Sequence, residues 1–227
     1  MSSRCPGLCS SIGAKFLMAA SGLGLVLFVI AHMLGNMQVF LGPEAINAYA
    51  AKLQSLGALL WVARIGLLLM FGLHVATAIR ITRQNRAARP IPYAVHKPFQ
   101  SSFASRTMLM SGLIVLAFAI WHLLHFTFGS VDAESYRMAH QGATPDVYAM
   151  LVHAFRQPVV AVSYMFAMLL LALHISHGLG SLVQSLGLTN RRTRSCCMCA
   201  GRLVALVIFA GNLSMPLAIL CGWTGGN

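Results

Sequence analysis

Five stretches of this chain are long and apolar enough to cross a bilayer, and the polar residues gather in the intervals between them. A helix needs about 20 residues at 1.5 Å each to cross a hydrocarbon core of about 30 Å. The pattern predicts spans near 15–40, 57–82, 105–129, 157–185 and 202–223. The expected fold class is therefore all-α, with residues 1–227 forming a single transmembrane domain of five helices. The intervals differ in kind. The first, LGPEAINAYAAKLQS, is amphipathic and suited to lie along a membrane surface. The second, RQNRAARPIPYAVHKPFQSS, is basic and proline-rich. The third, GSVDAESYRMAHQGATPDVYAMLVHAF, is polar, and the fourth, TNRRTRSCCMCAGR, is short and basic.

Composition agrees with this pattern. The chain is 58% hydrophobic, and its mean hydropathy of +0.75 lies far outside the soluble globular range. The spans and their connections leave no length for a separate soluble domain. A cleavable signal is not expected either, because the first apolar run, Phe16 to Phe40, is too long and no small-residue cleavage site follows it.

A formal charge of +12 invites a nucleic-acid partner, but the distribution of charge argues for membrane orientation instead. Arg4 and Lys15 precede the first span, Arg80, Arg83, Arg86, Arg89, Lys97 and Arg106 lie in or beside the second interval, and Arg191, Arg192, Arg194 and Arg202 in or beside the fourth. All four acids, Glu44, Asp132, Glu134 and Asp146, fall in the first and third. Alternate intervals thus differ in sign, which the positive-inside rule reads as a cytoplasmic N-terminus and, after an odd number of spans, a C-terminus outside. The basic second interval suits anionic lipid head groups or a soluble partner subunit.

The candidate chemistry lies in histidines at membrane depth. The segment AMLLLALHISHGLGSLVQSLG places His174 and His177 inside a spanning run, where an imidazole needs a partner for each nitrogen. Donating from one nitrogen and coordinating a metal with the other meets that need, and haem iron brings an apolar macrocycle suited to a helix bundle. Counting helix rise sorts four histidines into two levels. His32 stands 17 residues after Lys15 and His122 stands 16 after Arg106, about 25 and 24 Å from the cytoplasmic side. His74 stands six residues before Arg80, about 9 Å from that side, and His174 stands 18 after Arg156, about 27 Å from the outer one. The pairs are His32 with His122 and His74 with His174, the arrangement of two bis-His haems at levels about 15 Å apart. A lone membrane histidine is as well explained by a hydrogen bond to a neighbouring helix. A depth-matched set of four on four helices favours ligation.

His125 and His177 each follow a proposed ligand by three residues and face a similar side. Ligand, propionate partner and quinone contact all stay open for them. His96, His140 and His153 fall in or near connections and are expected to be solvated or interfacial. Gly22, Gly24, Gly66, Gly72, Gly112, Gly178 and Gly180 lie around the ligand positions, either to admit a ring or to let helices pack closely.

The segments LFVIAHMLGN around His32, FGLHVATAIR around His74, AIWHLLHF around His122 and LALHISHGLGSL around His174 together resemble the five-helix, dihaem cytochrome b membrane subunit of succinate:quinone oxidoreductases, a family shared with fumarate reductases. The resemblance covers essentially the whole chain. It implies that His32 and His122 hold one haem b and His74 and His174 the other, with His125 and His177 beside them. It further implies a flavoprotein subunit carrying FAD and an iron–sulfur subunit on the cytoplasmic face, and electron exchange with a membrane quinone such as menaquinone. The location implied is the inner (cytoplasmic) membrane, and a higher oligomer is compatible with it. The chain would then be an anchor and electron carrier, catalytic only within its complex, working toward succinate oxidation or, as the alternative, toward quinol oxidation in a fumarate reductase.

Two features fit less directly. Glu44 is the only carboxylate between the first two spans, where the family can use an acid for quinone protonation, but after Pro43 it reads better as a helix N-terminal acid. Cys5, Cys9, Cys196 and Cys199 include a C-x-x-C spacing conceivable for a tetrahedral metal. Free thiols are the expected state. The rival from another class is a haem-free transporter or anchor, which the scarcity of intramembrane acids disfavours as a proton relay.

Overall fold

The computed structural model describes residues 10–88, 106–140, 142, 144–187, 190 and 193–225, and their regular elements are all helical. Helix α1 (Ser11–Asn36) runs into a 3-10 turn (Met37–Leu41), followed by α2 (Pro43–Ser55) and α3 (Ala58–Ala87). Helix α4 (Met108–His122) runs into a π-helical turn (Leu123–Thr127). Then come α5 (Ala133–His140), α6 (Val147–Phe155), α7 (Pro158–Ser185) and α8 (Thr193–Leu220). Five runs, Ile12–Leu41, Ala58–Ala87, Met108–Thr127, Pro158–Ser185 and Thr193–Leu220, have the length and hydropathy of membrane spans. The chain is a multi-pass membrane protein with the expected all-α architecture.

Local chemistry sets the helix ends. Ser10 caps α1, its hydroxyl accepting from the Gly13 N–H at 3.0 Å. Pro43 and Pro158 open α2 and α7 at positions whose N–H has no helical partner to lose. Gly57, at φ 51°, turns α2 into α3 in a left-handed conformation that a side chain would disfavour.

The fifth span starts nine residues earlier than the hydropathy pattern suggests. Thr193 and Asn190 form a reciprocal cap, the Thr193 N–H donating to Asn190 Oδ1 at 2.9 Å and the Asn190 N–H to Thr193 Oγ1 at 3.1 Å. Helix therefore begins in the basic segment and carries Cys196, Cys197 and Cys199, which are free thiols, into the span. Cys5, Cys9 and His96 lie outside the described residues.

The third interval departs further from expectation. It is not a polar loop but two helices, and α6 buries Met150, Leu151, Val152, Ala154 and Phe155. These join Val39, Ile46, Ala161, Tyr164, Met215 and Ile219 in a core that closes one end of the bundle. Asn47 ties α2 to this cap, donating to Asp146 Oδ1 and accepting from the Tyr148 N–H, both at 3.0 Å. Each such bond contributes about 1 kcal/mol net. Glu44 is exposed in the first turn of α2, the place of a helix N-terminal acid.

Among the spans, α3 packs along α1, α4 along α7, and α1 against α7, while α8 lies along α7 and reaches α1. The neighbour order α3–α1–α7–α4 follows. Close approach of α7 and α8 rests on Gly201, where an added Cβ would sit 3.1 Å from Leu179 Cβ and 3.4 Å from the Gly180 nitrogen. Helix α3 exposes Leu59, Val62, Ile65, Leu68 and Leu69, which is the solvation expected of a span bathed in lipid.

Candidate cofactor site

One half of the site lies toward the end of the bundle that carries Lys15, Arg80, Arg106 and Arg202. There the α1 residues Ser21 and Gly22 face His74 of α3. Ser21 Oγ donates its proton to the Leu17 carbonyl at 2.7 Å, with Met18 O at 3.2 Å, and lies 3.3 Å from His74 Nδ1. While its proton is bound to its own helix, the hydroxyl is an acceptor for the ring N–H. This arrangement favours the His74 tautomer with its proton on Nδ1, which leaves Nε2 as the ring's acceptor atom. Gly22 completes the cradle, since a Cβ there would sit 3.1 Å from His74 Cε1.

The same construction recurs on α4 and α7. Ser111 Oγ donates to the Met108 carbonyl at 3.1 Å and lies 3.2 Å from His174 Nδ1, and a Cβ on Gly112 would sit 3.2 Å from His174 Cε1. The His74 and His174 rings face each other with centroids 6.4 Å apart and planes at 71°. Among the described residues α3 and α7 do not otherwise pack along each other, so the rings bridge two helices set apart.

The second pair lies ten residues further along both helices, from Gly22 to His32 and from Gly112 to His122, a rise of about 15 Å. The His32 and His122 rings have centroids 5.7 Å apart and planes at 85°. Helices α1 and α4 likewise share no extended packing among the described residues. His122 Nδ1 lies 3.5 Å from the Tyr164 hydroxyl. His32 stacks on Phe28 at 5.4 Å, and its Nε2 accepts from the Asn36 amide at 3.0 Å. Use of that nitrogen as a ligand requires the Asn36 side chain to swing away.

These residues fit a metal held axially. Two imidazoles, each about 2 Å from a common ion, place their ring centroids about 6 Å apart, and both pairs lie near that spacing. Two ligands leave the equatorial positions to the cofactor, as in a bis-His haem. In the pair carried by Ser21 and Ser111 both serine contacts are made through Nδ1.

The other histidines separate by environment. His125 is buried, with Nδ1 on the Tyr164 hydroxyl at 3.0 Å, so it belongs to the cap behind His122 and is not a member of either pair. His177 has a buried Nδ1 without a hydrogen-bond partner among the described residues. His140 is exposed and bonds the Tyr136 carbonyl through Nδ1. His153 is not simply solvated: its Nδ1 meets Ser135 Oγ at 2.8 Å beside Asp132. Of the flanking glycines, only Gly22 and Gly112 touch a paired ring; Gly24 and Gly180 receive methionine side chains, Gly178 only the tip of Met108, and Gly66 and Gly72 face open space.

Ser21 and Ser111 are the residues that sequence reasoning missed, although a signal for them is present. SGLGLVLFVIAH (21–32) and SGLIVLAFAIWH (111–122) share Ser, Gly, Leu, Phe, Ile and His at matching positions. This internal repeat sets each serine at one level and each histidine at the other. Comparison of the chain with protein-family models, with curated proteins and with solved structures finds no match.

Proposed function

We propose that this chain is the dihaem cytochrome b membrane subunit of a succinate:quinone oxidoreductase, anchoring a flavoprotein and an iron–sulfur subunit and carrying electrons between them and a membrane quinone. The observation that carries the reading is the repeated serine–histidine contact behind two rings that face each other across the bundle. Ser21 and Ser111 each contact Nδ1 of one of two opposed histidines, whose ring centroids lie 6.4 Å apart between helices. A histidine that merely joined two helices would spend both nitrogens on protein partners.

Haem b, when bound between such pairs, supplies one-electron transfer. The chain's own residues do the rest. His74 with His174, and His32 with His122, would hold the two haems, and the two histidine levels lie about 15 Å apart across the membrane. Gly22 and Gly112 keep the ligand rings close to the backbone. The apolar spans exclude water from both levels.

Charge orients the reading. Lys15, Arg80, Arg83, Arg86, Arg106, Arg194 and Arg202 mark the end assigned to the cytoplasm, where the soluble subunits dock, and the acids mark the opposite end. The membrane is then the inner (cytoplasmic) one. The motifs around the four histidines and their order along five spans support the succinate:quinone family over other haem-binding bundles.

The test is a pyridine haemochrome count on the purified membrane complex with a dithionite-reduced minus oxidised spectrum. Two b-type haems per chain are expected. A haem-free complex that still reduces quinone contradicts the relay and leaves only an anchor.

A further inference from the structure

Behind His122 a polar chain runs out of the bundle to a carboxylate. The π-helical turn Leu123–Thr127, closed by the Phe128 N–H on the Leu123 carbonyl at 2.9 Å, is wider than an α turn. It swings His125 into the cap, where the ring stacks on Phe126 at 4.2 Å and is 1% exposed. His125 Nδ1 lies 3.0 Å from the Tyr164 hydroxyl, which lies 3.5 Å from His122 Nδ1. On the other side His125 Nε2, buried and without a hydrogen-bond partner, faces Asp132 Oδ2 at 3.7 Å.

With His125 neutral, one proton arrangement agrees with all of these contacts. An ionised carboxylate only accepts, so the proton of His125 belongs on Nε2. Its bare Nδ1 then accepts the Tyr164 O–H. The phenol oxygen in turn accepts the Nδ1–H of His122, whose Nε2 keeps its lone pair. The opposite arrangement would set a lone pair of His125 against a carboxylate.

Asp132 is built to stay in place. It caps α5, accepting the Ser135 N–H on Oδ1 at 3.1 Å, and its Oδ2 takes the Ser135 hydroxyl and, at 3.4 Å, the Gln157 amide. His153 approaches Oδ2 at 3.9 Å and binds Ser135 Oγ from the other side. The pair of His74 and His174 has no such charge behind it, since its Nδ1 atoms rest on neutral hydroxyls.

We propose that Asp132, acting through His125 and Tyr164, is a positioning residue for His122, fixing its Nδ1–H tautomer and strengthening Nε2 as a donor to an axially held metal. This rests on the reading of His122 as a ligand. An anionic relay of this kind favours the oxidised metal at that level alone.

The test uses Asp132→Asn, which keeps the helix cap and the side-chain volume while removing the charge, together with Tyr164→Phe. In the purified complex both variants are expected to retain two haems and to raise the midpoint potential of one of them, with the other unmoved. Asp132→Glu is expected to restore the original value. In parallel, the ¹⁵N shifts of His122 in haem-free protein should show a single Nδ1–H tautomer that becomes mixed in Asp132→Asn. Unchanged midpoints and an unchanged tautomer in both variants would overturn the proposal. A wild-type complex that binds no haem overturns the ligand reading instead, and the ¹⁵N measurement still decides whether the relay sets His122.

Discussion

Serine is an unremarked residue in a membrane helix, because its hydroxyl normally bonds back to its own turn. Ser21 and Ser111 do this, and that bond gives each its function. With the hydroxyl proton spent on a backbone carbonyl, the oxygen is left as an acceptor for His74 or His174 and favours the tautomer with the proton on Nδ1. Removing such a partner lowers metal affinity about 10-fold to 100-fold. Ser111→Ala should therefore lower haem occupancy at the His74–His174 level about 10-fold under limiting haem, with the His32–His122 level unaffected. Quantitative reduced-minus-oxidised spectra at graded haem supply measure this; equal loss at both levels would mean a general folding defect. The histidines were legible in the sequence because an imidazole at membrane depth demands a partner. The serines were not, since a hydroxyl that can satisfy itself locally announces nothing beyond its own turn.

At the scale of elements, the spans were legible because a run of 20 apolar residues has few other uses. The cap was not. Helix α6 has nine residues and α5 eight, too short for periodicity to stand out beside the polar residues around them. The π-helical turn that redirects His125 leaves no sequence trace either. Asp132 holds this cap through Ser135. Burial alone would raise the Asp132 carboxyl, but the Ser135 hydroxyl and N–H, with His153 and His125 nearby, bring it below its ordinary 3.8. A carboxylate lowered on folding stabilises the native cap above its unfolded pKa, and that contribution is lost as pH falls through the folded value. Protection of the α5–α6 region in hydrogen exchange should therefore weaken below about pH 4. Asp132→Asn should remove this acid dependence while Glu44→Gln, at an exposed acid in the first turn of α2, leaves it intact. An acid limb that survives in Asp132→Asn would assign it to another group.

Over the whole molecule, polarity and packing agree. The exposed tryptophans Trp61, Trp121 and Trp223 all lie toward the acidic end, as an interfacial aromatic belt would. Trp223 follows Arg202 by 21 residues, about one hydrocarbon thickness of helix. Between these borders the order α3–α1–α7–α4 sets the helices that share a histidine pair one neighbour apart. The rings at both levels therefore meet across a gap and not across a packed seam. The repeat of Ser-Gly-Leu and His on α1 and α4 explains why the two levels match: each of these helices supports a ring at one level and carries a paired histidine at the other.

The central claim is this pairing, and four single replacements read by low-temperature EPR of the oxidised complex test it most directly. The account predicts two low-spin bis-His signals in the wild-type protein. His32→Ala and His122→Ala should lose one of them, and His74→Ala and His174→Ala the other. Loss of the same signal in His32→Ala and His74→Ala, or retention of both signals in any of the four, would contradict it.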